Sequence, residues 1–224
     1  RLAQLAELDK RREAIVKSLD ERLGSAYGHI VSLMETAGQV IRAFDPLTFD
    51  FASSVDAFVA PILRRGEGDR ERPRTAVVGF PEGSAGAWRW WKYRSGENGS
   101  KRTEVPLRLA PGADERGPRL LYFNETDMNG AGCAWLGRAL APAGLKPSNA
   151  VCWLSPELCV FLLDYGREVT AYDTTVLAGF VTQSLFMRSL AQQVSETENA
   201  FAYTVASLAR AAEANDEDTG NHLQ

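Results

Sequence analysis

The sequence has three cysteines, two histidines and no apolar run approaching 18 residues, and each shortage removes a class of function. Cys133, Cys152 and Cys159 are odd in number and contain no CxxC pair. They therefore form no disulfide framework and favour a reduced, cytoplasmic setting. With only His29 and His222 present, no Ser/His/Asp or Cys/His catalytic set can be assembled. No stretch is long and apolar enough to span a bilayer. An excess of positive charge is missing too: the formal net charge is −4 and the pI about 5.4, which argues against a nucleic-acid partner. The local basic stretch Arg64 to Arg74 is interrupted by Glu67, Asp69 and Glu71 and reads as a solvated loop. What remains is a chain of 224 residues, 45% hydrophobic, long enough to bury a sizeable core.

Both ends carry helical periodicity. Leu5, Leu8, Arg12, Ile15 and Leu19, then Leu23, Ala26, Ile30, Leu33, Ala37, Val40 and Phe44, recur at spacings of three and four. The spacing across Leu19 to Leu23 is a four-residue stutter, and Gly24, Gly28 and Gly38 each weaken the helix by roughly 1 kcal/mol relative to Ala. A break or kink near 24–28 is therefore expected, and Asp45-Pro46 ends the element. At the far end a longer seam covers 172–213: Leu177, Phe180, Ser184, Met187, Ala191, Val194, Glu198, Phe201, Val205, Leu208 and Ala212. A helix of about 40 residues is roughly 60 Å long. It is expected to project from the body and pair with a second helix.

The segment between is mixed. Phe51–Leu63 reads as an amphipathic helix closed by Gly66, followed by strands at Thr75–Phe80, Ala87–Arg94, Thr103–Leu109 and Leu120–Phe123. A short helix at Ala134–Leu140 and two last strands, Ala150–Leu154 and Cys159–Leu163, complete it. Thr103, Val105, Leu107 and Leu109 alternate with Glu104, Pro106 and Arg108, the period of a half-buried strand. Turn-forming runs at Pro81–Ser84 and Ser95–Ser100 predict hairpins and hence a mainly antiparallel sheet.

This order of elements, together with Leu163-Asp164-Tyr165-Gly166 and then Tyr172-Asp173 leading into the last helix, resembles a GAF domain over residues 28–190. The resemblance implies an α+β fold: an antiparallel six-stranded sheet with helices on its faces and long N- and C-terminal coiled-coil helices. It also implies a parallel homodimer and a small ligand cupped over one face of the sheet. At the end of the chain, Asp216-Glu217-Asp218-Thr219-Gly220-Asn221-His222 resembles the opening of an HD-GYP domain, a family that hydrolyses cyclic di-GMP at a two- or three-metal centre. Asp218 and His222 lie one helical turn apart, and the resemblance assigns them as two metal ligands of an incomplete site. A divalent metal or iron belongs to the missing remainder of that domain. The organisation expected is a signalling helix (1–27), the sensor domain (28–190), an exit helix (191–214) and a truncated catalytic start (215–224).

The candidate ligand residues are Phe80, Trp88, Trp90, Tyr122, Asn124, Cys133, Trp135 and Trp153. The aromatic members suit a planar ligand, although Trp88 and Trp90 share one strand face while Trp91 and Tyr93 share the other. The loop that begins at Asn124 borders the pocket in the resembled family. Cys133 opens a short helix but is followed by Ala134, not by the histidine typical of bilin-binding members. Cys152 and Cys159 fall in apolar strands, which suits inert packing. His29 reads as an ordinary helical residue. The expectation is a bacterial sensing and dimerisation module, itself without catalysis, that regulates a cyclic di-GMP phosphodiesterase. A ligand-free dimerising relay and a cysteine-dependent redox enzyme are the alternatives. The identity of any sensed ligand stays open.

Overall fold

In the computed structural model, which describes residues 2–63, 66, 68–82, 87–96, 99–107, 109, 118–128, 130 and 133–221, both ends of the chain are long helices. Helix α1 runs over Leu2–Arg42, without the break expected near 24–28. The glycine cost there is small beside the uninterrupted backbone ladder of a 41-residue helix. Beyond it, the Asp45 carboxylate accepts from the Leu47 amide and the Thr48 hydroxyl, both at 3.0 Å, and so shapes the turn into α2, Phe51–Ile62. Asp50 caps α2: its carboxylate accepts from the Ser53 amide at 2.8 Å.

Six strands follow: β1 Thr75–Glu82, β2 Ala87–Gly96, β3 Gly99–Glu104, β4 Arg119–Phe123, β5 Ala150–Leu154 and β6 Cys159–Leu163. They form one antiparallel sheet in the order β3-β2-β1-β6-β5-β4. The fold is therefore α+β, with the six-stranded antiparallel sheet expected. The third strand sits earlier than its alternation indicated. It pairs Gly99 with Gly96 and Glu104 with Trp91, and the ladder stops before Pro106, which has no amide to donate. The alternation still sets direction: Val105 is buried, and Leu107 and Leu109 pack against the same cluster.

The central strands are apolar on both sides, so both faces must be covered. On one face, Val78, Trp91, Tyr93, Val151, Trp153, Val160 and Leu162 meet Val55, Phe58 and Ile62 of α2. Leu177, Phe180, Val181 and Met187 complete that cluster from α5, which spans Ala171–Asn221, and the end of α1 packs beside it through Val40 and Phe44. On the other face, Val77, Trp90, Cys152, Cys159 and Phe161 lie under a short layer. There Leu136 and Leu140, both fully buried, anchor α4, Ala134–Leu140, each contributing about 2 kcal/mol. A one-turn α3, Glu125–Met128, precedes it. A turn at Ala141–Ala143 follows and ends at Gly144, whose φ of 66° is left-handed backbone that favours glycine.

The seam on α5 divides in two. Leu177, Phe180, Ser184, Met187 and Ala191 are buried against the body, so its first half belongs to the core and is unavailable for pairing with another helix. Ala191 is the last buried residue of α5 among those described; Phe201, Val205 and Leu208 are exposed. On α1, Leu8, Ile15, Val16, Leu19 and Leu23 are likewise exposed. No helix among the described residues is long and apolar enough to cross a membrane.

Gly79 pairs with Trp90 across β1 and β2, and the indole lies over it so closely that an added Cβ would come within 2.3 Å of the ring. Gly79→Ala is expected to displace the indole and cost about 1–3 kcal/mol, read from denaturant midpoints and a shift in tryptophan emission. Hydrogen bonding to Ser53 holds the Asp50 carboxyl below the usual carboxylate range. Its folded pKa is depressed, so its stabilisation is present at neutral pH and is lost as pH falls through the folded pKa. Asp50→Ala should therefore destabilise by about 1 kcal/mol at neutral pH, with the difference from the parent shrinking in acid titrations of thermal stability.

Candidate functional site

The sheet face beneath α4 carries an aromatic ladder. The Trp88 and Trp90 rings stack with centroids 5.4 Å apart, and Trp90 stacks on Phe161 at 5.8 Å. Trp135 meets Phe161 at 6.4 Å and Phe123 edge-on at 6.4 Å. Strand alternation puts Trp88 and Trp90 on one side of β2, and the registers Gly79 opposite Trp90 and Val77 opposite Phe161 put Phe161 on the same face. Trp88 and Trp135 are half-buried, whereas Trp90 and Cys133 are buried. The ladder is thus closed at its centre and open at two ends. The indole N–H of Trp90 is buried with no hydrogen-bond partner among the described residues, leaving one unused donor at a cost of about 1–3 kcal/mol. The buried charged side chains among the described residues, Arg72 and Asp173, are engaged elsewhere, with the Pro61 carbonyl and with Arg167.

The structure therefore brings together four of the eight candidate residues: Trp88, Trp90, Cys133 and Trp135. The other four lie elsewhere. Phe80 is on the helix-covered face, packed against Phe51 at 5.1 Å and Trp91 at 4.6 Å. Trp153 is buried on that same face. Tyr122, opposite Val151 on the edge strand β4, is exposed. The period of two separates these residues from Trp90, and only pairing register could have shown it. His222 lies outside the described residues, as do the side chains of Asp218 and His29.

Asn124 has a structural task. Its side-chain amide donates to the Val169 carbonyl at 3.0 Å, and its side-chain oxygen accepts from the Val169 amide at 2.8 Å. The end of β4 is thereby fastened to the segment that leads into α5. Asn149, just before β5, holds the same segment: its oxygen accepts from the Tyr165 amide at 2.8 Å and its nitrogen donates to the Arg167 carbonyl at 2.8 Å. Arg167 then bridges outward, with two bonds to Asp173 (2.9 and 2.7 Å) and one to Glu71 (2.6 Å). Asp173 also accepts from the Thr170 amide at 2.9 Å, a capping-box arrangement at the start of α5. The hydrogen bonds to Asp173 and Glu71 hold the Arg167 guanidinium firmly protonated. None of these tethers was found in the sequence, although Asn and Asp flanking a helix start are a readable signal.

The thiols are quiet. Burial pushes Cys152 well above the ordinary thiol range, with Cys133 and Cys159 nearby adding to the effect. Burial raises Cys133 as well, helped by Asp127, which opposes any activation by the start of α4. All three are free and buried, and no cluster of metal-ligating side chains occurs among the described residues.

The chain matches no protein-family model, no curated protein and no solved structure. Its functional reading therefore rests on its own residues.

Two outcomes follow from this geometry. At neutral pH all three thiols should stay unmodified by a mild alkylating reagent until denaturant is added, as read by intact mass. Asn124→Ala leaves both polar groups of Val169 unpaired and should cost about 2 kcal/mol. Faster exchange of the Val169 and Thr170 amides would locate that loss at the root of α5.

Proposed function

We propose that this chain is the dimerising, ligand-sensing input module of a signalling enzyme, of GAF type, with a cyclic di-GMP phosphodiesterase of the HD-GYP class as its output. The observation that carries the reading is α5 itself. It is one continuous 51-residue helix, core of the sheet domain as far as Ala191 and then exposed, with Phe201, Val205 and Leu208 uncovered. A lone helix does not keep such a stripe in water without a partner. A second copy in parallel supplies one, and the exposed residues of α1 extend the same interface. The order of elements supports the GAF assignment. The motif from Asp216 to His222 supports the output domain, with Asp218 and His222 as its first metal ligands.

The sensing face in this proposal is the aromatic ladder of Trp88, Trp90 and Trp135, with Cys133 beside it. Its chemistry favours an uncharged planar ligand that stacks on an indole and offers an acceptor to the Trp90 N–H. Among the described residues no buried cation is free beside it to pair with a phosphate. Signal leaves through Asn124, which joins the loop bordering this face to the start of α5, and a shift of that joint re-registers the two projecting helices. The dense packing of Trp90, Phe161 and Cys133 favours the second reading, a ligand-free dimerising relay.

Native mass spectrometry of the protein isolated from a bacterial host separates the two. A dimer carrying a neutral small molecule supports the sensor, a bare dimer the relay, and a monomer at micromolar concentration defeats both. Replacing Val205 and Leu208 together by glutamate should weaken dimerisation about a hundredfold or more, measured by sedimentation, while leaving the sheet domain's thermal unfolding unchanged.

A further inference from the structure

Strand β3 is one edge of the sheet, with β2 as its single neighbour. Lys101, Arg102, Thr103 and Glu104 are all exposed, so among the described residues the outer side of the strand is open and its main-chain groups there have no strand to pair with. The two faces of this edge treat charge differently. On the helical face, Arg102 is held by Asp56 at 2.7 Å and Arg89 by Glu104 at 3.3 Å. On the ladder face the cations stand alone. Alternation continues Trp88 and Trp90 into Lys92 and Arg94, and the register sets Lys101 directly opposite Arg94 and Thr103 opposite Lys92. Lys92, Arg94 and Lys101 make no ion pair or side-chain hydrogen bond among the described residues. Of the strand residues on that face, none is Asp or Glu.

Like charges directly opposite each other weaken a sheet. The chain has an acidic excess, with a net charge of −4, yet neutralises its cations on one face of this edge and not on the other. Lysine on an edge strand guards against edge-to-edge pairing, and this arrangement does so selectively. A second copy of β3 brings its own Lys101 and Arg94 and is repelled. A strand of opposite charge is attracted. Such a strand lies about 4.8 Å beyond β3, with alternate side chains on the ladder face next to Lys101. Those side chains are two strand spacings from Arg94, a gap of about 10 Å that an arginine and a glutamate span together. A nucleic acid brings charge but no amides for the open edge, and the acidic chain as a whole repels a long polyanion.

We propose that β3 is a docking edge for an acidic, extended peptide segment of another protein, which adds to the sheet as a further strand. Main-chain bonds to Gly99–Glu104 supply the affinity. Carboxylates at alternate positions, meeting Lys101, Arg94 and Lys92, supply the selection. Strands β3 and β4 are opposite edges of the sheet, so this surface is separate from the joint at Asn124, and it uses none of the indoles of the ladder.

Fluorescence anisotropy of the whole chain with a short labelled peptide of alternating glutamate and valine tests it. Saturable binding is expected, with the lysine–valine counterpart showing none. Hydrogen exchange of the complex should show new protection of the β3 amides and none at β4. Lys101→Glu places opposite charges across from each other and should keep or raise the melting temperature, while weakening the acidic peptide tenfold or more. Arg94→Glu combined with Lys101→Glu should reverse the preference, so that the lysine–valine peptide binds. Equal binding of the two peptides by the parent chain, binding without protection of β3, or unchanged affinity in Lys101→Glu would overturn the proposal. So would a single-stranded oligonucleotide that competes as well as the acidic peptide, which would make the face a general polyanion contact. Absence of saturable binding at millimolar peptide would equally overturn it and leave the three cations as protection of a solvated edge.

Discussion

Strands β5 and β6, both interior strands of the sheet, are buried along their whole length on both faces and carry no charged or amide side chain. A sheet of this kind has no solvent side, so it requires a layer above and a layer below. The remaining architecture answers that demand. Helices α2 and α5 supply one cover; α4 and the apolar residues Val105, Leu107 and Leu109 supply the other. The two covers differ in kind. One is thick and helical and continues beyond the domain, while the other is short and built partly from connecting segments. A ligand face is more readily housed under the second, because less packing is lost when it opens.

Both covers converge on the segment from Asp164 to Asp173. It leaves β6 through a left-handed residue, Asp164, with φ of 60°, whose carboxylate accepts from the Ser148 amide at 2.9 Å. It is then held by Asn149, Asn124 and Arg167 in turn. Tyr165 and Val169 bury their side chains in the helical core, and the polar tethers fix the backbone between them. Directional hydrogen bonds have two states, made or broken, whereas apolar packing yields gradually. A joint built this way is suited to carry information from a sheet edge into a helix.

Much of the frame was legible in the sequence because periodicity survives folding. Five of the six strands, the helices and the separation of Trp88 and Trp90 from Trp91 and Tyr93 follow from periods of two and near four. The third strand was misplaced because alternation continues past Pro106, and the pattern reports side-chain direction, whereas a ladder also needs amides. The break near Gly24 did not occur, since local propensity is outweighed by continuity along a long helix. The candidate site was half legible. Phe80 and Trp153 are aromatic for the sake of the helical core, and composition does not distinguish a core ring from a site ring. Phe161, which touches both Trp90 and Trp135, stood in plain view as an apolar strand residue and becomes central only once register is known.

The length of α5 beyond the body has a mechanical consequence. From Ala191 to Asn221 the helix extends about 45 Å, and no side chain described beyond Ala191 is buried against the domain. A rigid rod anchored at one end magnifies angle into distance: a tilt of about 5° at the anchored end displaces the tip by about 4 Å over that span. Rearranging a single side chain at Asn124 or Arg167 would then suffice for a displacement at the far end as large as the spacing between neighbouring side chains. The protein would need no large motion in its core to make a large one where the helix ends.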